Sequence, residues 1–398
     1  ESAEVTVTNA TGIGRDGVAA QHSKVTVKGD ATSSGSTYSG VWASYENAEV
    51  IVEGNVYANG EMSMGVNAET LALVTVKGSV IVSGSGSMGI KASDDGKVTV
   101  NGNVSVSGSD CVGALLLSEA GKASIVTIKG GIDATKYVQI ETGEDTTIEH
   151  LFEDGRINAE VSEDSRYYTE DYDSFVYVSL FAGGSGTAED PYLISCGTQF
   201  YNIGDHLFLE KHYKQIADID LAGYFSLGQG WKPIGNGEVP FNGTYDGDGH
   251  TISNLYINRS DSGGIGLFAH IGMGGEIRNV ELIDVDVTGE DYVGALAGGN
   301  TGLVEDTYAT GEVDADGDAV GGLIGINEGT ITGSYFDGTV TSVEGNANGD
   351  FTGGLVGISY ENGTISGCYT IATVTSEVGN CTGGLIGANN GSINDSHA

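Results

Sequence analysis

The chain has 398 residues, room for two domains, and sets 16 Lys and Arg against 55 Asp and Glu for a formal net charge of -39. Such a chain repels phosphate backbones and anionic bilayers, which argues against nucleic acid or a membrane surface as partner. Glycine is abundant (66) and proline scarce (3), but the glycines recur at fixed places without a three-residue period, so they read as turns and not as collagen or disorder.

In chain order, the first half repeats one phrase. Val25-Thr26-Val27-Lys28-Gly29, Val50-Ile51-Val52-Glu53-Gly54, Val74-Thr75-Val76-Lys77-Gly78 and Val98-Thr99-Val100-Asn101-Gly102 follow one another at steps of 25, 24 and 24 residues. Periods of this size indicate a solenoid, whose repeats bury their apolar faces only by stacking. Within one unit, Val98 and Val100 alternate with polar residues, then Val104 and Val106 do the same, with Gly102 and Gly108 at the corners. That is the pattern of half-buried strands. A third short strand is expected at Val112-Gly113-Ala114, matching Met88-Gly89-Ile90, Met64-Gly65-Val66 and Ser39-Gly40-Val41-Trp42. Three strands and three corners in about 24 residues make one turn of a parallel β-helix, with neighbouring coils about 4.8 Å apart. The pattern degrades after Ile125–Gly130. The acidic, tyrosine-rich stretch 145–181, with Tyr167, Tyr168, Tyr172 and Tyr177, is expected to form irregular last coils and a junction, because a solenoid must hide its open edge.

Gly183-Gly184-Ser185-Gly186 reads as a linker or tight turn. Thr198–Ile203 suits one or two helical turns, and Tyr213–Leu221 alternates like a strand. A second repeat then begins with Val293-Gly-Ala-Leu-Ala, Val320-Gly-Gly-Leu-Ile-Gly, Thr352-Gly-Gly-Leu-Val-Gly and Thr382-Gly-Gly-Leu-Ile-Gly, at steps of 27, 32 and 30 residues. A Gly-x-Ile phrase follows at Gly329–Ile331, Gly363–Ile365 and Gly391–Ile393, then an aromatic (Tyr335, Tyr369, with Tyr308 one unit earlier) and a valine strand. Leu296, Leu323, Leu355 and Leu385 are expected to form one core ladder and Ile331, Ile365 and Ile393 another. These glycines are therefore architectural, and no Gly-x-x-x-x-Gly-Lys phosphate loop is present.

The string Gly186-Thr-Ala-Glu-Asp-Pro-Tyr-Leu-Ile194, Asp218-Ile-Asp-Leu221, Trp231-Lys-Pro-Ile-Gly235, Phe241–Leu255 and the Gly-Gly-Leu-(Ile/Val)-Gly repeats resembles bacterial surface proteins that carry GLUG repeats, over about residues 183–398. The resemblance implies a secreted or cell-surface protein, often adhesin-like. The motif also occurs in some immunoglobulin A peptidases as an accessory region. The first half is similar only in a general way to adhesin and autotransporter-type β-helices.

Candidates for chemistry are few. The zinc-protease phrase His-Glu-x-x-His is absent. His206, Glu210 and His212 are of metal-binding type, but their spacing suits neither helix nor strand, so no metal site is expected there. Asp246-Gly-Asp248-Gly and Asp314-Ala-Asp316-Gly-Asp318 resemble pieces of calcium loops but lack the closing glutamate, and read as solvated turns. Arg259 and Arg278, with Asp246, Asp248 and His250 upstream, are the nearest approach to a polysaccharide lyase centre. The acidity of the chain opposes an anionic substrate. Trp42, Trp231 and the tyrosines at 167–177 are candidates for stacking on a sugar, although Trp231 lies in the family phrase and is expected to be packed. Cys111, Cys196, Cys368 and Cys381 show no C-x-x-C spacing, which argues against zinc. Cys368 and Cys381 lie within one repeat of each other, near enough to pair, but read as free buried thiols.

The expected architecture is all-β, two tandem right-handed parallel β-helices at 1–182 and 183–398. The expected role is a non-catalytic adhesin-like or display module of a secreted or cell-surface bacterial protein, extracellular, needing no cofactor and binding a host glycan or extracellular matrix protein. The alternative is a carbohydrate-active β-helix lyase or hydrolase, which would show a deep groove of converging carboxylates with a basic residue. No apolar run approaches the ~18 residues that span a bilayer, so this segment is not expected to insert in a membrane. The start at Glu1 and the stop at Ala398 just after a repeat phrase suit a piece of a larger exported protein.

Overall fold

The computed structural model describes residues 4–118, 122–134, 136–142, 146–150, 159–161, 165–169, 175–204, 208–222, 228–343, 351–376 and 381–398. The chain divides into two compact units, Glu1–Ala182 and Gly183–Ala398. Both are parallel β-solenoids, and among the described residues the only α-helix is the short Gly197–Asn202, close to the helical turns expected at Thr198–Ile203. No helix among those residues is long and apolar enough to cross a membrane.

In the first unit each coil contributes one strand to each of three sheets. The first sheet stacks Lys24–Val27, Glu49–Val52, Leu73–Val76, Lys97–Val100 and Ile125–Ile128, in a register that lays Val25, Val50, Val74, Val98 and Val126 on one another. The second stacks Val56–Asn59, Val80–Ser83 and Val104–Ser107, and the third Ser39–Ser44, Met64–Glu69, Met88–Ser93 and Val112–Ser118. Repeating valines thus become columns, and these columns form one continuous core. The glycine of each Met-Gly-(Val/Ile) phrase stands close against a valine of the second sheet. A Cβ on Gly65 would come within 2.2 Å of Val80 Cγ1, and one on Gly89 within 2.3 Å of Val104 Cγ1.

One corner of this unit is closed by side chains that do the work of backbone. The Asp30 amide donates to Asn9 Oδ1, Asn55 to Asp30, Ser79 to Asn55, Asn103 to the Ser79 hydroxyl and Gly131 to Asn103, at 2.8 to 3.1 Å. Each short polar side chain caps an amide one coil on, so these five donors at the bend are paired. At the far end the strand direction reverses. Thr146–His150 pairs antiparallel to Lys136–Thr142, and Ala159–Val161, Ser165–Thr169 and Phe175–Ser179 form an antiparallel run whose last strand joins the first sheet beside Ile125–Ile128. Beyond the last periodic phrase, Lys136–Thr142 and Phe175–Ser179 still pair parallel with earlier coils, but antiparallel partners now join them.

The second unit has longer coils. The stretch Tyr213–Leu221, expected as a single strand, is two, His212–Gln215 and Ile219–Asp220, in different sheets. The buried Gln215 amide turns the corner between them by donating to the carbonyls of Ala217 and Thr251. One core column runs Tyr192, Tyr213, Tyr245, Ile277, Val304, Ile331, Ile365 and Ile393. It is aromatic in the first coils and aliphatic afterwards. The aromatic end is filled by Phe200 of the short helix, whose ring lies 5.4 Å from Trp231 and 5.2 Å from Tyr245. The leucine ladder forms as the repeats imply, with Leu296, Leu323 and Leu355 fully buried and their amides donating to the Leu323, Leu355 and Leu385 carbonyls in turn. In the last coil of the stack Ile393 is 40% exposed, having a neighbour on one side only.

The corner after the Gly-x-Ile strand explains Cys368. Asn279, Asp306, Gly333, Gly367 and Asp395 all have φ between 46° and 62°, the left-handed conformation that Asn, Asp and Gly tolerate best. The next residues, Thr307, Ser334, Cys368 and Ser396, form a polar column in which each side chain donates to the carbonyl two residues back. Cys368 occupies a serine's place there, buried, and burial pushes its thiol pKa up. Cys368 and Cys381 are both free thiols.

Candidate functional site

The charged residues suspected of lyase chemistry are brought together only in part. Arg278 lies in the sheet of Thr244–Asp246 and Leu303–Glu305, whereas Arg259 pairs beside Gly289 in another sheet. Arg259 is held by the Trp231 carbonyl and the Gln229 side chain at 3.1 and 2.8 Å. Arg278 Nε donates to Asp246 at 3.2 Å, Lys214 Nζ to Asp248 at 2.9 Å, and His250 Nδ1 lies 3.2 Å from Asp218. The Asp248 amide also donates to Asp246 Oδ1, the turn geometry that the Asp-Gly-Asp-Gly phrase implied. Every carboxylate of this group therefore has a structural partner.

Burial alone would raise the Asp246 pKa, but hydrogen bonds from Asn279, the Asp248 amide and Arg278 outweigh it and the net shift is downward. Asp218 is lowered too, by the Thr251 amide first and then by His250. A carboxyl whose folded pKa lies below its unfolded value stabilises above the unfolded value, and that contribution disappears as pH falls through the folded one. The second unit is therefore expected to melt at lower temperature as pH drops below about 4. An Asp246→Asn variant should show a flatter acid dependence. Melting curves that superimpose for the two proteins from about pH 5 to pH 3 would show that this carboxylate is uncoupled from folding.

The acidic turn at Asp314–Asp318 is held from the coil below, where Asp291 Oδ1 accepts from the Asp318 amide at 2.8 Å. Among the described residues no three His, Cys, Asp or Glu side chains converge in a metal-binding geometry. His206 lies outside the described residues, and His212 Nδ1 is 2.8 Å from the Thr244 hydroxyl.

The aromatic candidates separate sharply. Trp231 is buried in the aromatic end of the core with its indole N–H on the Leu267 carbonyl. Tyr172 is outside the described residues, and Tyr167, Tyr168 and Tyr177 are placed only as backbone in antiparallel strands. A different set makes an outward ladder. Tyr308, Tyr335 and Tyr369 stack with centroids 4.6 Å apart at each step and planes within 6° and 13°, and His397 covers Tyr369 at 5.8 Å. Rings stacked in this way cover one another's faces and leave edges and hydroxyls outside, so the ladder offers no flat plate for a sugar. Burial and then Glu281 raise the Tyr308 pKa. In the buried interior of another turn, Asn300 donates to Asn327 at 2.9 Å and Asn327 to Ser359 at 3.3 Å, a second ladder that the sequence reading did not single out.

The free aromatic plate is Trp42. Its neighbours Val41 and Ala43 point into the core of the first unit, so the indole leaves by the outer face, where it is partly exposed. Asn67 and Lys91 follow it in the same column, one per coil. Glu69 gathers all three: its carboxylate accepts from Trp42 Nε1 at 3.3 Å and Asn67 Nδ2 at 3.0 Å, and lies 3.7 Å from Lys91 Nζ. Sequence reasoning named Trp42 but missed Asn67, Glu69 and Lys91. The available signal was that their outward positions break the Thr/Ser habit of the other columns.

Comparison with known proteins adds to this geometry. Residues 316–341 match the GLUG motif. This chain carries a GLUG motif. The GLUG segment is one coil of the second unit, and it supplies one member to every ladder there: Leu323, Asn327, Ile331, Ser334 and Tyr335. The GLUG signature is thus a description of how coils stack. Over 131 residues the chain is 41% identical to a protein of Evansella cellulosilytica described as a candidate Gly-rich membrane protein, a match covering 32% of this chain and 15% of that one. It is 37% identical over 147 residues to Halomucin of Haloquadratum walsbyi, covering 36% of this chain and 2% of the relative. The chain therefore spans a small fraction of both relatives. A crystal structure described as a candidate immunoglobulin A1 protease of Bacteroides ovatus aligns over 55% of this chain and 68% of its own at 26% identity and a TM-score of 0.44, too loose a likeness to argue activity from.

Proposed function

We propose that the chain is a non-catalytic, adhesin-like or display module of a cell-surface protein, exposing its solenoid faces to an extracellular glycan or matrix protein. The observation that carries this reading is that the titratable groups best placed for catalysis are consumed by fixed partners: Arg278 and Asn279 on Asp246, Lys214 on Asp248, His250 beside Asp218, and Arg259 on Gln229 and a carbonyl. A hydrolase needs two carboxyl groups with separated protonation states facing one substrate, and the lowered Asp246 and Asp218 are each lowered by neighbours that hold the fold. The names of the relatives, a membrane protein and Halomucin, support a place at the cell surface. The formal net charge of -39 suits a hydrated, self-repelling display element.

A binding array of neutral and acidic glycans and matrix proteins, run beside turnover assays on the same glycans and on peptides with and without calcium, tests this reading. Saturable binding without turnover is the expected result. Turnover that disappears in Arg278→Ala or Asp248→Ala would replace the display reading with the lyase or hydrolase alternative.

A further inference from the structure

We propose that Trp42, Asn67, Glu69 and Lys91 form a subsite for a neutral hexopyranose unit on the outer face of the first unit. This rests on the reading of the chain as a surface binding module and gives that module a place and a ligand class.

Asn67 is the residue that demands explanation. Its chain neighbours Val66 and Ala68 are in the core, so its side chain leaves on the face where a solenoid is normally wet. Yet Asn67 is only 5% exposed, and its Oδ1 has no hydrogen-bond partner. The amide orientation is determined by the other atom, since Nδ2 donates to Glu69 and a flipped amide would set its oxygen against a carboxylate. A dry acceptor left unmade on an outer face is destabilising by roughly 1–3 kcal/mol. Such an acceptor calls for a donor from outside the chain, a water or a ligand hydroxyl.

The surroundings define that ligand. The indole of Trp42 is the flat apolar plate, and its N–H bond to Glu69 keeps it oriented. Glu69 and Lys91, 3.7 Å apart, have side chains only 28% and 23% exposed, one accepting and one donating. A sugar hydroxyl both donates and accepts, so adjacent ring hydroxyls match an ammonium beside a carboxylate and an amide oxygen. The local charges cancel, and the strongly acidic chain repels uronic or sialic acids. A neutral pyranose, with an apolar ring face and a fringe of hydroxyls, fits each of these features.

The test uses the whole chain. Of its two tryptophans, Trp231 is buried, so a surface ligand perturbs Trp42. Titration with short gluco-, galacto- and manno-oligosaccharides is expected to shift tryptophan emission for at least one series, and Trp42→Phe to remove that shift. By calorimetry, Trp42→Ala and Asn67→Ala should weaken binding by about tenfold or more without lowering the melting temperature, and a sialylated oligosaccharide should not bind. Should either variant melt early, Lys91→Met provides the same comparison at a third side chain and is expected to lose affinity likewise. If neutral oligosaccharides bind parent and variants equally, the subsite is wrong and the surface-binding reading stands. If matrix proteins bind but no neutral oligosaccharide does, the subsite is again wrong. If neither class binds the parent chain, both readings fall.

Discussion

Leu323→Asp is expected to unfold the second unit at ambient temperature or leave it melting far below the parent, while residues 4–118 keep their transition. Leu323 is fully buried, and its amide and carbonyl are tied to Leu355 and Leu296 in adjacent coils. A carboxylate at that point would be buried in the core without an established partner, a change of several kcal/mol. Solenoid stability is close to a sum of coil and nearest-neighbour terms, so the loss spreads along the second unit and not into the first, which has its own core. Thermal unfolding followed by far-ultraviolet circular dichroism reads this directly. Superimposable melts of mutant and parent would mean that the leucine ladder is not core, and a first unit that melts together with the second would mean that the two are one cooperative body.

Gly322→Ala should be nearly as damaging for a residue gaining one methyl group. A Cβ at Gly322 would lie 2.2 Å from Phe336 Cδ1 and 2.3 Å from the Gly354 carbonyl oxygen. The ring is itself fully buried, and the carbonyl belongs to the equivalent glycine of the next coil, so neither can retreat without opening the stack. Overpacking of this kind destabilises by about 1–3 kcal/mol or more, which for a unit of this size is a fall in melting temperature of roughly 4–10 °C. Gly237→Ala is the matched control, because a Cβ there meets nothing within 4 Å and should change stability by no more than about 0.5 kcal/mol. Equal melting temperatures for the two variants would refute the close-approach account of the Gly-Gly-Leu phrase.

Much of the architecture was written in the chain because a solenoid is nearly one-dimensional. The spacing of Val25, Val50, Val74 and Val98 is also their stacking order, and the same holds for Leu296, Leu323 and Leu355. Repeat period therefore determined coil size, and valine and leucine phase determined which side chains face inward. What the period could not convey is where a strand bends. Tyr213–Leu221 alternates throughout, yet Gln215 turns the chain through one local carbonyl bond to Ala217 and one long-range bond to Thr251, and the contact with Thr251 has no local signature.

Sequence likewise named Trp42 and Trp231 as aromatic candidates and set Trp231 aside as packed only because it lies in the family phrase. Only stacking decided that Trp231 closes the aromatic core with Phe200 and Tyr201 while Trp42 stands outside above Asn67. It also decided that Tyr308, Tyr335 and Tyr369, which as sequence are only an aromatic recurring once per repeat, hide their faces against one another at 4.6 Å. Inward residues repeat because every coil must bury the same face, so their pattern is legible from the chain alone. Outward residues are under no such periodic constraint, and the grouping of Trp42, Asn67, Glu69 and Lys91 from three successive coils exists only once those coils are laid in register.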